Sequence, residues 1–267
     1  AKIAVAEAAR NLVCVGARPL AVTNCLNFGT PTDLDIYYQL YHAIRGMGEA
    51  CEELSTPVTG GNASLYNEGK HGSIYPTPTI GMVGIVKKAK NFMSPEFKKD
   101  GDLIYMIGKP KEEVDGSEFA KVFYGHIGKN CPSINLKVEK RTQKVIRRLI
   151  KRKLVKSVDD ISLGGLAINL VKNAINGNLG FNIKVKSNLS KEAYLFGETQ
   201  SRFMVTVRPK KKDKLKKILK KAGLTFKRLG EVTEEETIRI KYNNEKVLLN
   251  LDELEKAYRT SFEEAIS

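Results

Sequence analysis

The chain has 267 residues, 42% hydrophobic and 28% charged, with 45 basic against 30 acidic side chains and a formal charge of +15. That length supports a real core in one large domain or two smaller ones, and no window approaches the ~18 consecutive apolar residues of a membrane-spanning helix. Four scattered cysteines (Cys14, Cys25, Cys51, Cys131) without CxxC spacing, and only three histidines, argue against zinc; they suit reduced thiols in a cytoplasm, most of them acting as small buried hydrophobes.

In chain order, residues 3–15 read as a helix stopped by Gly16. The opening "AKIAVAEAARNLV" carries neither an initiator Met nor a charged-then-apolar leader and reads as mid-domain, so a fragment or processed piece is expected. A short strand, 20–25, runs into a polar loop, and Thr32-Asp33 can cap a second helix. Its apolar positions Ile36, Leu40, Ile44, Met47, Cys51 and Leu54 recur at helical spacing. A short strand then enters Gly60-Gly61, and 79–86 is an apolar strand. Residues 87–99 read as a linker.

Beyond it, "GDLIYMIG" is a strand, 139–154 a helix, and "DDISLGGLAINLVKNAI" a turn entering a helix. Strands follow at 180–185 and 202–207, then a basic helix at 211–221. "TIRIKYNNEKVLLNL" predicts a hairpin about Asn243-Asn244, and 251–266 a terminal helix. The class is α/β (α+β) in two domains, 1–88 and 100–267, joined by a linker at 89–99.

The positive charge sits mainly in 137–156 and 210–221, where basic residues alternate with Val145, Ile146, Leu149 and Ile150, or with Leu215, Ile218 and Leu219. No aromatic residues are interleaved as stacking platforms. These are helices with one apolar and one lysine-rich solvated face, and a basic surface of this kind can also steer anionic nucleotides.

Chemistry concentrates in "TNCLNFG" and "PVTGGNASLYNE". They offer Asn24, Asn27, Asn62, Ser64 and Asn67 beside the amides of Gly60 and Gly61. Two readings stay open. Gly and Asn punctuate strands as turns, and successive glycine amides also wrap phosphate oxygens, with an amide oxygen able to ligate magnesium. No Gly-Lys-Ser/Thr follows, so this is not a Walker A loop. If the two strands are parallel, the two loops are expected at opposite strand ends; other pairings let them converge.

These stretches, with "YPTPTIGMVG", "DGSEF" (115–119), "DDISLGGLA" and "LFGETQSRFMVTV", resemble in order the second half of the large (PurL-type) synthetase subunits of phosphoribosylformylglycinamidine synthase, within the aminoimidazole ribonucleotide synthetase-like superfamily. The resemblance implies an A-type domain whose sheet pairs with a partner A domain in a barrel-like interface, followed by an α/β B-type domain. It implies ATP-dependent conversion of formylglycinamide ribonucleotide to formylglycinamidine ribonucleotide with glutamine-derived ammonia, through an iminophosphate and with Mg2+.

By the same resemblance Asn24 and Gly61 contact ATP, Asn62 ligates magnesium and Ser64 contacts the ribonucleotide. Asn24 stands where the family often has Asp. Asp160, Ser162, Gly164 and Gly165 form a candidate auxiliary nucleotide loop, with Asp159 replacing a usual histidine and Leu163 a usual acidic residue. The family's catalytic histidine belongs to the other half, so no catalytic residue is expected here; His42, His71 and His126 read as structural or surface residues, and Glu198 and Arg202 as a structural ion pair. The implied partners are the N-terminal half of the same synthetase, the glutaminase subunit and the small accessory subunit, with neither nucleic acid nor membrane. A silent nucleotide-binding scaffold and a basic nucleic-acid module remain as alternatives.

Overall fold

The computed structural model describes residues 1–126 and 128–266, with side chains through Ser261. It contains two compact units, Ala1–Phe92 with Ile134–Arg147, and Met93–Ser133 with Arg148–Ser267.

The first unit runs α1 (Lys2–Cys14), β1 (Arg18–Asn27), α2 (Leu34–Leu54), β2 (Val58–Ser64), a two-residue-strand hairpin β3 (Glu68–Gly69) and β4 (Gly72–Ser73), then β5 (Thr77–Ile85). Helix α2 starts where Asp33 accepts hydrogen bonds from the amides of Asp35 (2.8 Å) and Ile36 (3.4 Å). It ends at Ser55 in the left-handed conformation, φ 58°. The sheet order is β2-β1-β5, with β1 parallel to β2 and antiparallel to β5.

Strand alternation sorts β1 into two faces. Val22, Asn24 and Leu26 point towards α1 and α2, where Val5, Phe28, Ile36, Met47, Ala50 and Cys51 complete a core. Thr23, Cys25 and Asn27 point to the other face with Thr77, Thr79, Gly81 and Val83 of β5. That second face carries exposed residues, Val83 and Ile85 among them.

The second unit contains β6 (Leu103–Ile107), α3 (Glu118–Tyr124), the end of α4 (Leu136–Lys151), β7 (Ser157–Asp160), α5 (Gly165–Gly177), β8 (Gly180–Val185), α6 (Lys191–Leu195), β9 (Phe203–Val207), α7 (Lys212–Lys221), β10 (Phe226–Thr233), β11 (Thr237–Tyr242), β12 (Glu245–Asn250) and α8 (Leu251–Ile266). Its seven strands lie in the order β12-β11-β8-β10-β6-β9-β7, antiparallel except for the β8–β11 pair. The expected hairpin is present: Tyr242 pairs with Glu245, and Asn243 takes φ 51° at the turn. The core of Ile104, Met106, Leu166, Leu170, Phe181 and Met204 belongs to this sheet and its helices.

Several boundaries differ from those read in the sequence. Residues 93–99 are not a free linker, because Phe97 is buried in the second unit, donates its amide to Asn173 O (3.1 Å) and meets the Phe181 ring edge-on at 6.1 Å. Nor is 100–267 one continuous block, since residues 134–147 pack with the first unit. A buried ion pair contributes to this, beside the Lys140–Glu53 pair and the packing of Leu136 on the first core. Arg10 Nη1 and Glu139 Oε2 lie 3.3 Å apart with neither side chain exposed, and Gln143 Nε2 donates to Glu139 Oε1 at 2.8 Å. Burying either charge without the other is costly, which ties the start of α4 to α1. Ile127, and Ser267 at the expected end of the second domain, lie outside the described residues.

Helix α4 does carry an apolar stripe (Val145, Ile146, Leu149, Ile150 buried) beneath an exposed basic face. Among the described residues, no helix is long and apolar enough to cross a membrane.

Candidate functional site

Strands β1 and β2 continue through the polar stretches instead of turning there. The ladder pairs Asn24 with Gly61, Cys25 with Asn62, and Asn27 with Ser64. The expectation for parallel strands does not hold: parallel pairing sets like ends together, so the two stretches lie side by side. The turn reading of Gly60-Gly61 falls with it.

Gly61 takes φ +149°, and a Cβ there would stand 2.2 Å from both Asn24 O and Asn24 Oδ1. Only glycine lets β2 approach β1 so closely at this point. Asn24 and Gly61 share the helix-side face, whereas Asn62 and Ser64 share the open face with Cys25 and Asn27. The four site residues expected from the sequence are thus neighbours on two faces of one strand pair.

Around them the backbone is held by side chains. Asn67 Nδ2 donates to Phe28 O (3.0 Å) and Ser64 O (2.8 Å), and Ser64 Oγ donates to Asn67 Oδ1 (3.2 Å). Asn27 Nδ2 donates to Thr77 O (3.2 Å), fixing the β1–β5 end. Sequence reasoning misses Glu68. Its carboxylate accepts from Thr30 N (3.0 Å), Thr30 Oγ1 (2.7 Å) and Ser73 Oγ (3.0 Å). Those hydroxyls, Thr30 first and then Ser73, hold its carboxyl below the usual range. A glutamate between Asn67 and a Gly-rich hairpin is the available signal, but its partner Thr30 lies 38 residues away.

The donor set is chemically informative. Asn62 is exposed and makes no side-chain hydrogen bond among the described residues, leaving its amide oxygen available. The surrounding oxygens on β1 and β2 are neutral, and the nearby carboxylate of Glu68 is occupied. Neutral oxygens bind a bare hard cation weakly; they suit one whose charge is met by phosphate groups. The residues present therefore fit a magnesium–nucleotide better than magnesium alone.

In the second unit, Asp160 ends β7, Ser162 and Gly164 lie in the following loop, and Gly165 starts α5. The amides expected to receive an anion are already used. Glu198 Oε1 accepts from Gly164 N (3.0 Å) and from Glu118 N (3.0 Å), and Gly165 N donates to Ser162 O (2.9 Å). The anion at this helix start is the protein's own carboxylate. Glu198 is consequently not the ion-pair partner of Arg202, whose guanidinium donates to Thr199 O (2.8 Å) and Gly197 O.

Asp159, beside this loop, accepts from Asn169 Nδ2 (2.8 Å) and Asn173 Nδ2 (2.9 Å). Burial nevertheless pushes its carboxyl up to about 6, against the Asn173 bond and with help from the Asp160 charge. His42, His71 and His126 are exposed, and His42 leans on the Tyr38 ring at 4.2 Å. Of the four free cysteines, Cys14 and Cys51 are buried, Cys25 is half-buried and Cys131 is exposed.

Comparison with known proteins places this geometry. Residues 1–86 match the AIR synthase related protein N-terminal domain, and residues 99–243 match the AIR synthase related protein C-terminal domain. The fold is shared with T. maritima PurL complexed with ATP (TM-score 0.70, 19% identity, 92% of this chain and 39% of that chain). It is shared also with T. maritima PurL complexed with FGAR (TM-score 0.75, 19% identity, 92% and 41%). HypE in a HypE–HypF complex is similar too (TM-score 0.68, 16% identity, 93% and 83%). The chain spans about two-fifths of the length of these PurL chains. With both of its domain matches in order, the chain belongs to the AIR synthase related protein family.

Proposed function

We propose that this chain is one half of an ATP-dependent synthetase that amidates formylglycinamide ribonucleotide to formylglycinamidine ribonucleotide. The observation that carries this reading is the β1–β2 strand pair. It combines a glycine whose side-chain space is filled by Asn24 with a neutral, unpartnered Asn62 and a bonded Ser64 on the adjoining open face. The likeness to PurL structures complexed with ATP, AMPPCP, ADP and FGAR supports it.

In this reading Asn24 and Gly61 border the nucleotide, their close packing letting phosphate oxygens reach β2 backbone amides without a side chain between. Asn62 holds the magnesium that accompanies ATP, and that ion neutralises the phosphates. Ser64, held by Asn67, donates a hydrogen bond to the ribonucleotide. These groups position and stabilise charge. The substrate amide oxygen takes the γ-phosphoryl group from ATP, releasing ADP; ammonia then adds at the same carbon and phosphate leaves. The asparagine at position 24 cannot neutralise a cation, and in this reading the pairing half supplies a carboxylate for the metal. That half, a glutaminase and a small accessory subunit are the proposed partners, and the open face of the β2-β1-β5 sheet is the surface proposed to pair with the other A-type domain.

The test combines the chain with the N-terminal half and follows ATP-dependent amidation with ammonia as donor. Asn62→Ala is expected to abolish magnesium-dependent turnover with an unchanged melting curve. Turnover by this chain without the other half would overturn the half-site reading. Absence of Mg-ATP binding in the reconstituted pair would favour a silent scaffold.

A further inference from the structure

A basic cleft lies at the other end of β1. An open cleft of about 460 Å³ in the first unit is lined by Arg18 at the start of β1 and by Lys140, Lys144 and Arg147 of α4. Val13, Leu20 and Leu54 form its apolar floor. At ~3.3 Å per residue, Arg18 stands roughly 20 Å along the strand from Asn24. The two places share no residue.

Its charge is not balanced internally. Lys140, Lys144 and Arg147 step by four and three residues, which puts them on one stripe of the helix. Lys140 has a partner, Glu53, at 3.3 Å. Arg18, Lys144 and Arg147 have no ion pair among the described residues. Arg147 is half-buried, and burial, together with the neighbouring Arg18 charge, holds its guanidinium below the ordinary arginine range. The C-termini of α1 and α2 approach the cleft through Val13, Leu54 and Ser55. Each helix end contributes roughly half a negative charge, about one in all, against three unpaired cations.

A protein gains little by gathering like charges over an apolar floor unless an anion joins them. We propose that this cleft binds a small molecule bearing two linked phosphoryl groups, its apolar portion lying on Val13, Leu20 and Leu54 and its phosphates between the arginines and Lys144. The volume fits a compact ligand of that class. Paired guanidinium groups favour phosphate, which they meet in a bidentate fashion. An acidic protein segment would be expected to meet an extended basic track, and here the cations surround one concavity.

The probe is inorganic pyrophosphate without divalent metal, titrated calorimetrically into the full chain. Binding in the submillimolar range is expected, weakening roughly tenfold in Arg147→Ala and in Lys144→Ala and falling with added salt. Asn62→Ala should leave it unchanged. Lys144 is exposed on its helix, so its variant tests the site without risk to folding, and thermal melts verify this. No heat at millimolar pyrophosphate would overturn the proposal. So would equal affinity in Lys144→Ala, or binding of a polyglutamate peptide where pyrophosphate does not bind.

Discussion

Strands β2 and β6 make opposite use of a sheet. All five residues of β6, Leu-Ile-Tyr-Met-Ile, are buried, as are all five of β9 beside it. Strand β2, Val-Thr-Gly-Gly-Asn-Ala-Ser, is exposed at every position but the last. Burial of apolar side chains suffices to hold β6. Strand β2 buries almost nothing, and its place is set by the ladder to β1, by Asn67 and by a glycine that admits Asn24. The difference teaches that the residues with available chemistry sit where stability is supplied by neighbours. The first unit adds to its apolar core a fully buried ion pair, Arg10 with Glu139.

The sharpest way to break that contrast is to remove the charged pair. Glu139→Ala should cost about 3–5 kcal/mol in urea unfolding, because the fully buried Arg10 loses the Glu139 carboxylate and Gln143 its acceptor. The double variant Arg10→Met/Glu139→Leu should recover much of the loss. A loss in Glu139→Ala below ~1 kcal/mol would mean that hydrocarbon holds both units alike.

The second unit has its own buried charge to test. Asp159 binds its proton more tightly folded than unfolded, since burial raises its carboxyl to about 6. The stability it contributes is complete below the unfolded value, about pH 4, and is lost as pH rises to about 6. The loss should reach about 2–3 kcal/mol. Asp159→Asn should flatten most of that slope in pH-dependent melts. Asp102, whose carboxyl burial also raises, leaves a weaker slope of the same sign. A slope unaltered in the variant would refute the assignment to Asp159.

The smallest effect on stability separates two adjacent glycines. A methyl group added at Gly60 would meet nothing within 4 Å, whereas one at Gly61 would collide with Asn24. Gly60→Ala should fall within about 0.5 kcal/mol of the parent, and Gly61→Ala should lose about 1–3 kcal/mol. Equal melting temperatures for the two would show that close approach does not require glycine at position 61.

Much of the buried architecture was legible. "LIYMI" and "FMVTV" are short apolar runs between polar segments, and the spacing from Ile36 to Leu54 marks α2 without help from tertiary contacts. The hairpin at Asn243 rests on local backbone preference, which a sequence displays directly. The ends of β1 and β2 were harder. Gly and Asn there signal a turn locally, and only pairing between segments 37 positions apart (Asn24 with Gly61) makes them strand. The candidate site residues were named by resemblance alone, and their division between two faces depends on register. Phe97 was hidden in a lysine-rich stretch, and the attachment of 134–147 to the first unit rests on contacts distant in sequence, among them an ion pair between residues 129 apart.

That last separation has a consequence in time. At ~5–20 residues per second of synthesis, the ribosome needs roughly 6–26 s after making Arg10 to produce Glu139. In the last part of that interval, once β5 has been made, the sheet and both early helices lack the carboxylate that completes their interior. The first unit is therefore not complete when the second begins; its closure waits for a helix made after Met93–Ser133 of the second unit.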